Sequence, residues 1–282
     1  NRIVWFFHHY ATPPKIIGLT RPYDFSKTLQ SKNYKCSVFS SSYLHYAGYD
    51  IKNDSSLFQK HNEDGVDFFY IKTNQYKCNK ICRVINMISF AVNLSRAARK
   101  ISKIEKPDVI IASSPHPLTC LAGIRVARKL KVPCIVEIRD LWPESIISYS
   151  FLKKKTMLAR LLYRGEKQIY QKADSIIFTM EGGTKYIQDK KWDKDNSGPI
   201  NLDKVFHINN GVNIETFDQN ILDNRLDGDD LTDNDSFKVV YTGTIRKVNN
   251  IKLLIDTAEY IKSKDMNHIK LFIYGEGSEK DE

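Results

Sequence analysis

The sequence lacks any Cys-x-x-Cys pair. Its five cysteines, Cys36, Cys78, Cys82, Cys120 and Cys134, are odd in number and scattered. Cys78 and Cys82 stand four apart, but no matching Cys or His pair follows at zinc spacing. Reduced thiols in a cytoplasmic protein are therefore expected, rather than a zinc site or a disulfide framework. No secretory signal is visible, and the first residue is Asn1 rather than methionine, so the natural start is expected upstream. Long apolar runs are also missing. The longest, residues 81–94, is broken by Arg83 and Asn86 and is too short and polar to span a bilayer. The acidic stretch between Phe217 and Phe237 does not form a calcium loop. Asp223, Asp227, Asp229, Asp230, Asp233 and Asp235 lack a closing Glu, and Gly228 is out of place.

What is present is ordinary globular material. The 282 residues are 41% hydrophobic and 27% charged, enough for a core and too apolar for a disordered chain. The net charge of +10 is uneven. Residues 1–200 hold 33 basic and 17 acidic residues, and residues 201–282 hold 10 and 16. Two units with different partners are expected, the basic one meeting phosphate, nucleic acid or an anionic membrane. No nucleic-acid recognition motif accompanies the basic residues, so that partner is set aside.

Short β-branched or aromatic runs predict strands at Arg2–Phe7, Cys36–Phe39, Asp67–Ile71, Asp108–Ala112, Cys134–Ile138, Ser175–Phe178, Val205–Ile208, Lys238–Tyr241 and Lys270–Tyr274. Helical periodicity falls between several of them, at Arg21–Lys32, Cys82–Glu105, Leu118–Leu130, Leu158–Lys172 and Asn250–Lys262. The alternation predicts α/β architecture with parallel sheets. A first domain over 1–217, an acidic linker over 218–236 and the start of a second domain over 237–282 follow. Two strands and a helix cannot bury a core alone, so the second domain is expected to be truncated.

In parallel sheets ligands bind beyond the carboxyl ends of the strands. There the sequence places His8, His9, Ser113, His116, Arg139, Asp140, Glu144, Glu181, Asn210 and Gly211. Turn and cap chemistry accounts for Ser113, Asn209 and Gly182, but less well for His116, Arg139, Asp140 and Glu144. His116 is read equally as a functional group or as a cap for the helix after it. Trp142-Pro143 is read as packing. His8 and His9 are adjacent, so at most one faces a cleft.

The segment Glu137-Ile138-Arg139-Asp140-Leu141-Trp142-Pro143-Glu144-Ser145 resembles one found in bacterial family-4 glycosyltransferases of O-antigen and capsule assembly, in the fucosamine-transferase subgroup. His9-Tyr10-Ala11 with Gly18 and Arg21, the run Lys106–Pro115, Ile208–Asn213, and Tyr241–Thr244 with Tyr274–Glu279 add to the resemblance, which runs end to end. The resemblance implies the GT-B fold, two Rossmann-like domains, and a retaining, metal-independent transfer with no cofactor. The donor would be a nucleotide-diphosphate sugar and the acceptor a polyprenyl-diphosphate-linked or saccharide chain. It implies catalytic roles for His116, Arg139 and Asp140, and an acceptor side with His9, Gly18, Arg21, Ser113, Glu144 and Glu181. Its donor side would hold Asn210, Gly211, Gly243, Thr244, Arg246, Lys247, Gly275 and Gly277, since N–H and cationic groups stabilise a leaving diphosphate. The chain departs from the family in having Thr244 where most members carry Arg, and Arg139 where many carry His. The family's Glu-x7-Glu pair is expected beyond Glu282. A donor-incompetent fragment or scaffold, or a sugar-nucleotide epimerase, are the rival functions. The cations of 82–105, with Lys153-Lys154-Lys155, suggest a peripheral position on the inner face of the cytoplasmic membrane.

Overall fold

The computed structural model describes residues 2–52, 54–76, 80–148, 153–224, 229–233, 235–277 and 279–281. Cys78, Asp227, Gly228 and Glu282 lie outside them. The chain divides into two compact units, Asn1–Gly211 and Val212–Glu282.

The first unit is built on one eight-stranded sheet. In chain order its elements are β1 (Arg2–Phe7), α1 (Arg21–Gln30), β2 (Tyr34–Ser41), β3 (Tyr43–Leu44), β4 (Tyr49–Asp50), β5 (Phe58–Glu63), β6 (Val66–Ile71) and α2 (Lys80–Ile101). Then come β7 (Val109–Ser114), α3 (Pro117–Leu130), β8 (Cys134–Ile138), α4 (Glu144–Ser148), α5 (Met157–Lys172), β9 (Ser175–Phe178), α6 (Gly183–Asp189) and β10 (Val205–His207). The sheet order is β10-β9-β8-β7-β1-β2-β6-β5, and β3 and β4 form a separate two-residue ladder. All pairings in the large sheet are parallel except β5 with β6, an antiparallel edge that the sequence reading did not anticipate. The strand order reverses at β1, which pairs with β2 on one side and β7 on the other.

Both faces of the sheet are covered, which explains the continuous apolar strands. Alternation along β1 feeds two cores. Val4 and Phe6 join Val38, Phe68, Tyr70 and Tyr23 beneath α1. Trp5 and Phe7 join Phe39, Phe90, Leu94 and Ile110 beneath α2 and α3. Helices α2 and α3 pack together, as do α3 and α5. Gly123 of α3 is required by this packing, since a Cβ there would lie 2.4 Å from that of Ala112 on β7.

In the second unit, α7 (Ile214–Asp223) and α8 (Asp229–Thr232) precede β11 (Phe237–Thr242), α9 (Ile251–Ser263) and β12 (Ile269–Tyr274). The stretch read as an open linker from 218 thus begins inside a helix. Asn213 caps that helix, its side chain accepting from the Thr216 N–H at 3.0 Å. The division into units falls at 211/212 rather than at 217. Strands β11 and β12 pair in parallel, in the arrangement expected of a β–α–β unit.

Candidate functional site

The switch point between β1 and β7 gathers most of the polar groups expected at the strand ends. Continuing the alternation of β1 sends His8 toward α1 and His9 toward α2 and α3. Both are fully buried, so neither simply faces open solvent. His9 stacks on Phe90 of α2, with ring centroids 4.3 Å apart. Its Nδ1 lies 2.5 Å from Nε2 of His116, a hydrogen bond in which the tautomers decide which ring donates. His116 does occupy the N-cap position of α3, yet its side chain makes no capping bond there. The helix is started instead by Pro117, whose missing N–H costs nothing at that position.

Burial dominates the titration of these rings. It lowers His8 and His116 to about 3, with Arg139 and Arg83 respectively as further causes, and holds His9 well below the usual histidine range, with His116 adding to the effect. All three are neutral at pH 7. Nδ1 of His8 accepts the Tyr10 N–H at 3.2 Å, which puts its proton on Nε2. That Nε2–H, Nδ1 of His116 and one terminal nitrogen of Arg139 are buried and have no partner among the described residues. His8 and Arg139 lie within Coulombic reach of each other. Two buried orphan donors within Coulombic reach of each other, one of them cationic, suit a negatively charged ligand group.

A second cluster lies on the α1 side. Arg21 is buried and donates from Nε to Glu137 Oε1 at 2.8 Å. Its terminal nitrogens donate to the carbonyls of Asn209 at 2.7 Å and Ile208 at 2.9 Å, and to Asn210 Oδ1 at 3.3 Å. Ser113 Oγ donates to the other oxygen of Glu137. Arg21, Ser113 and Asn210 therefore engage protein groups. Glu137 organises them, although the sequence reading did not single it out. A carboxylate inside an otherwise apolar strand was the available signal. Arg83 and Phe90 of α2 have no mark of the site in the sequence, because α2 reaches it only through the fold.

The remaining expected residues are dispersed. Gly18 sits where a Cβ would strike the Thr12 side chain at 2.3 Å, so packing accounts for it. Glu144 accepts from Lys190 and, at 2.8 Å, from Tyr163, in a cluster of its own. Asp140 is exposed at the end of β8, and Glu181 and Gly211 are exposed in loops.

In the second unit, the loops after β11 and β12 continue the pairing of their strands. The N–H groups of Gly243 and Ile245 donate to the carbonyls of Tyr274 and Glu276, both at 3.0 Å. Any Cβ on Gly275 or Gly277 would lie 1.8 Å from the carbonyl oxygen of Gly243 or Ile245, so close backbone contact requires both glycines. The Thr244 carbonyl accepts from Tyr241 Oη at 3.0 Å and from Asn249 Nδ2 at 2.6 Å. Arg246 precedes a single 3-10 turn, Lys247–Asn249, and α9 follows it. Among the described residues no group of His, Cys, Asp or Glu could hold a metal ion.

Residues 62–196, just under half of the chain, match the family model of a glycosyl transferase 4-like domain. No curated protein matches the sequence. Among solved structures, the chain is similar to the Anabaena protein HepE in complex with UDP, with a TM-score of 0.53 and 11% identity over 100% of this chain and 62% of that one. It is similar to a transferase from Siraitia grosvenorii in complex with UDP, with a TM-score of 0.51 and 9% identity over 99% and 74%. A UDP-GlcNAc 2-epimerase from Neisseria meningitidis bound to UDP-GlcNAc gives a TM-score of 0.50 and 14% identity over 98% and 66%. The chain thus spans about three fifths to three quarters of the length of these proteins. At such identities the likeness speaks of fold alone, and the fold is α/β GT-B, a pair of Rossmann-like domains.

Proposed function

We propose that the protein is a nucleotide-sugar-dependent glycosyltransferase. It moves a sugar, with retention and without a metal, from a nucleotide-diphosphate donor to a polyprenyl-diphosphate-linked or saccharide acceptor. O-antigen or capsule assembly in the cytoplasm is the setting this reading favours. The observation that carries it is the orphaned polar cluster at the sheet's switch point, which lies partly within the segment matching the glycosyl transferase 4-like model. In the transfer, the bond from the anomeric carbon to the diphosphate breaks and a bond to the acceptor oxygen forms. The acceptor's proton ends on the diphosphate. Nδ1 of His116 is suited to orient the acceptor hydroxyl. His8 Nε2–H and Arg139 are suited to hold an acceptor-side or departing phosphate. Asp140, at the mouth of the same loop, is assigned to the acceptor. Gly243, Thr244, Arg246 and Lys247 are assigned to the donor diphosphate.

The test is turnover with a panel of nucleotide sugars and a lipid-diphosphate acceptor, using the full-length natural protein. Transfer is expected with one donor, and its loss in His116→Ala and Arg139→Ala. Absence of transfer and hydrolysis across the panel, with intact folding, would refute the reading. The epimerase neighbour favours a second reading, interconversion of a sugar nucleotide. It predicts a changed sugar nucleotide released in the absence of any acceptor. For the donor side, Lys247→Ala is expected to weaken nucleotide-diphosphate binding in calorimetry, and unchanged affinity would move the diphosphate site elsewhere.

A further inference from the structure

The β3–β4 hairpin, residues 43–50, stands outside the large sheet but is tied to it. The Ser42 N–H donates to the carbonyl of Ile71 at 2.8 Å, and Tyr43 Oη donates to that of Tyr76 at 2.7 Å. Gly48 takes φ +77° at the tip and donates its N–H to the Leu44 carbonyl at 2.7 Å. Beside it stands Tyr46, with 50% of its surface exposed. A lone exposed tyrosine would need no explanation. This one ends a run of aromatic contacts that leads inward to the site. Its ring lies edge-on to that of Tyr10 at 6.4 Å, and Tyr10 lies 6.3 Å from the ring of His116. His45 joins Tyr46 at 5.0 Å and stacks on Tyr76, whose hydroxyl lies 2.9 Å from its Nδ1.

The polar groups among these rings differ from the donor pair formed by His8 and Arg139. Tyr10 is 7% exposed, and its hydroxyl is buried without a hydrogen-bond partner among the described residues, as is Nδ1 of His116. A phenol hydroxyl both donates and accepts, and Nδ1 of a neutral histidine does one or the other according to its tautomer. A sugar hydroxyl, which also donates and accepts, satisfies every one of these states. An ionised phosphate oxygen only accepts, so it suits the Nε2–H of His8 and the guanidinium of Arg139 instead. Tyr46 lies within Coulombic reach of Tyr10, of Arg83 from α2, and of Arg139 and Asp140 from the loop after β8. The hairpin tip therefore stands where both walls of the site meet.

We propose that the β3–β4 hairpin selects the acceptor: the ring of Tyr46 is a platform for the C–H face of a pyranose, while Tyr10 and His116 take its hydroxyl groups. The group that accepts the new bond is then a sugar already joined to its carrier, not a bare lipid phosphate. An exposed aromatic face beside a few convergent polar groups is the composition that orients a ring apolar on its faces and polar on its edge. The inference rests on the glycosyl-transfer reading and adds a place in sequence to it. An earlier transfer of a sugar or sugar phosphate to the carrier must supply this substrate.

The experiment offers the full-length natural protein a panel of nucleotide sugars and two kinds of acceptor. One is bare polyprenyl phosphate, and the other is polyprenyl diphosphate carrying one hexose or N-acetylhexosamine. Transfer is expected to a sugar-bearing acceptor alone. Tyr46→Ala should raise KM for that acceptor roughly tenfold, with far less effect on kcat and on KM for the nucleotide sugar, since a platform holds substrate and transition state alike. Tyr46→Phe keeps the ring and should keep the KM. Should Tyr46→Ala melt early, saturation-transfer NMR of the unsubstituted protein with methyl pyranosides decides the matter, with transfer from tyrosine ring protons to the pyranose expected. An unchanged acceptor KM in a folded Tyr46→Ala, equal use of bare polyprenyl phosphate, or a rise confined to the nucleotide-sugar KM would overturn the proposal and leave glycosyl transfer standing. A methyl pyranoside that binds through Tyr46, with no turnover on any acceptor, would instead sink glycosyl transfer and keep the sugar platform. Neither binding nor turnover would sink both.

Discussion

Replacing Arg21 by methionine separates a structural from a ligand-binding role for that residue. The substitution keeps an unbranched apolar stem but removes a guanidinium whose bonds reach Glu137, Ile208 and Asn209. Glu137 is 4% exposed and, among the described residues, would keep one hydrogen-bond donor, the Ser113 hydroxyl, with the Arg139 guanidinium within Coulombic reach. Removing one partner of a buried ion pair costs about 3–5 kcal/mol, because the other charge remains desolvated. The two carbonyls lie on exposed residues and regain water, so they add little. For a unit of this size the cost corresponds to a fall in Tm of roughly 10 °C. All three tryptophans, Trp5, Trp142 and Trp192, lie in the first unit, so intrinsic fluorescence during urea or thermal unfolding follows that unit alone. Arg21→Met/Glu137→Gln should recover most of the loss, since it removes the stranded charge, and the resulting coupling should exceed about 1 kcal/mol. An Arg21→Met protein with stability unchanged to within about 0.5 kcal/mol, but with lost acceptor affinity, would refute this reasoning and return Arg21 to the acceptor side.

Burial raises the Glu166 carboxyl to about 7, against hydrogen bonds from Tyr170 and Tyr186 that favour its charged form. The folded state therefore keeps a proton that the unfolded chain loses above about pH 4.5, and this group's contribution to stability falls as pH rises from there to 7, by up to about 3 kcal/mol. Glu166→Gln should flatten that slope and raise stability at pH 8, as measured by urea titrations across pH. The buried histidines act in the opposite direction. His8 and His116 stabilise fully above the unfolded value of about 6.5 and lose that contribution as pH falls toward 3, so acid unfolding should begin below pH 6.5 in a tryptophan-fluorescence titration. Two helix glycines should respond in opposite senses in thermal melts. Gly123→Ala is expected to destabilise by about 1–3 kcal/mol through its clash with Ala112. Gly165→Ala on α5, where a Cβ meets nothing within 4 Å, should stabilise by roughly 0.5–1 kcal/mol.

The sheet was readable because its inner strands are covered twice and so consist of unbroken apolar residues. The alternation that sends His8 and His9 to different sides of β1 was readable too, since it follows from the period of two along a strand. The site's partnerships were not readable. The contact of His9 with His116 spans 107 residues, and that of Arg21 with Glu137 spans 116. Neither separation leaves a periodic trace. Strand β5 was missed because Phe58–Glu63, Phe-Gln-Lys-His-Asn-Glu, has no apolar run. The turn after it carried a stronger cue. Asp64-Gly65 takes positive φ at both residues, the local signature of a two-residue hairpin. Helix α7 was passed over because its apolar residues, among them Ile214, Phe217 and Ile221, stand exposed within an acidic stretch.

Strand β5 has a consequence for how molecules of this protein meet one another. An unprotected parallel sheet ends in a row of free N–H and C=O groups, a template on which another chain can polymerise. Here one border of the sheet is an antiparallel ribbon bearing Lys60, His61 and Asn62, with Lys60 paired to Asp67 at 2.8 Å across it. The opposite border, β10, is only three residues long, and Arg21 binds the carbonyls just past its end. Both borders resist edge-to-edge growth, one by charge and the other by brevity. Replacing Lys60 with valine would create a flatter, stickier margin, and light scattering at high concentration would register it as the first sign of aggregation.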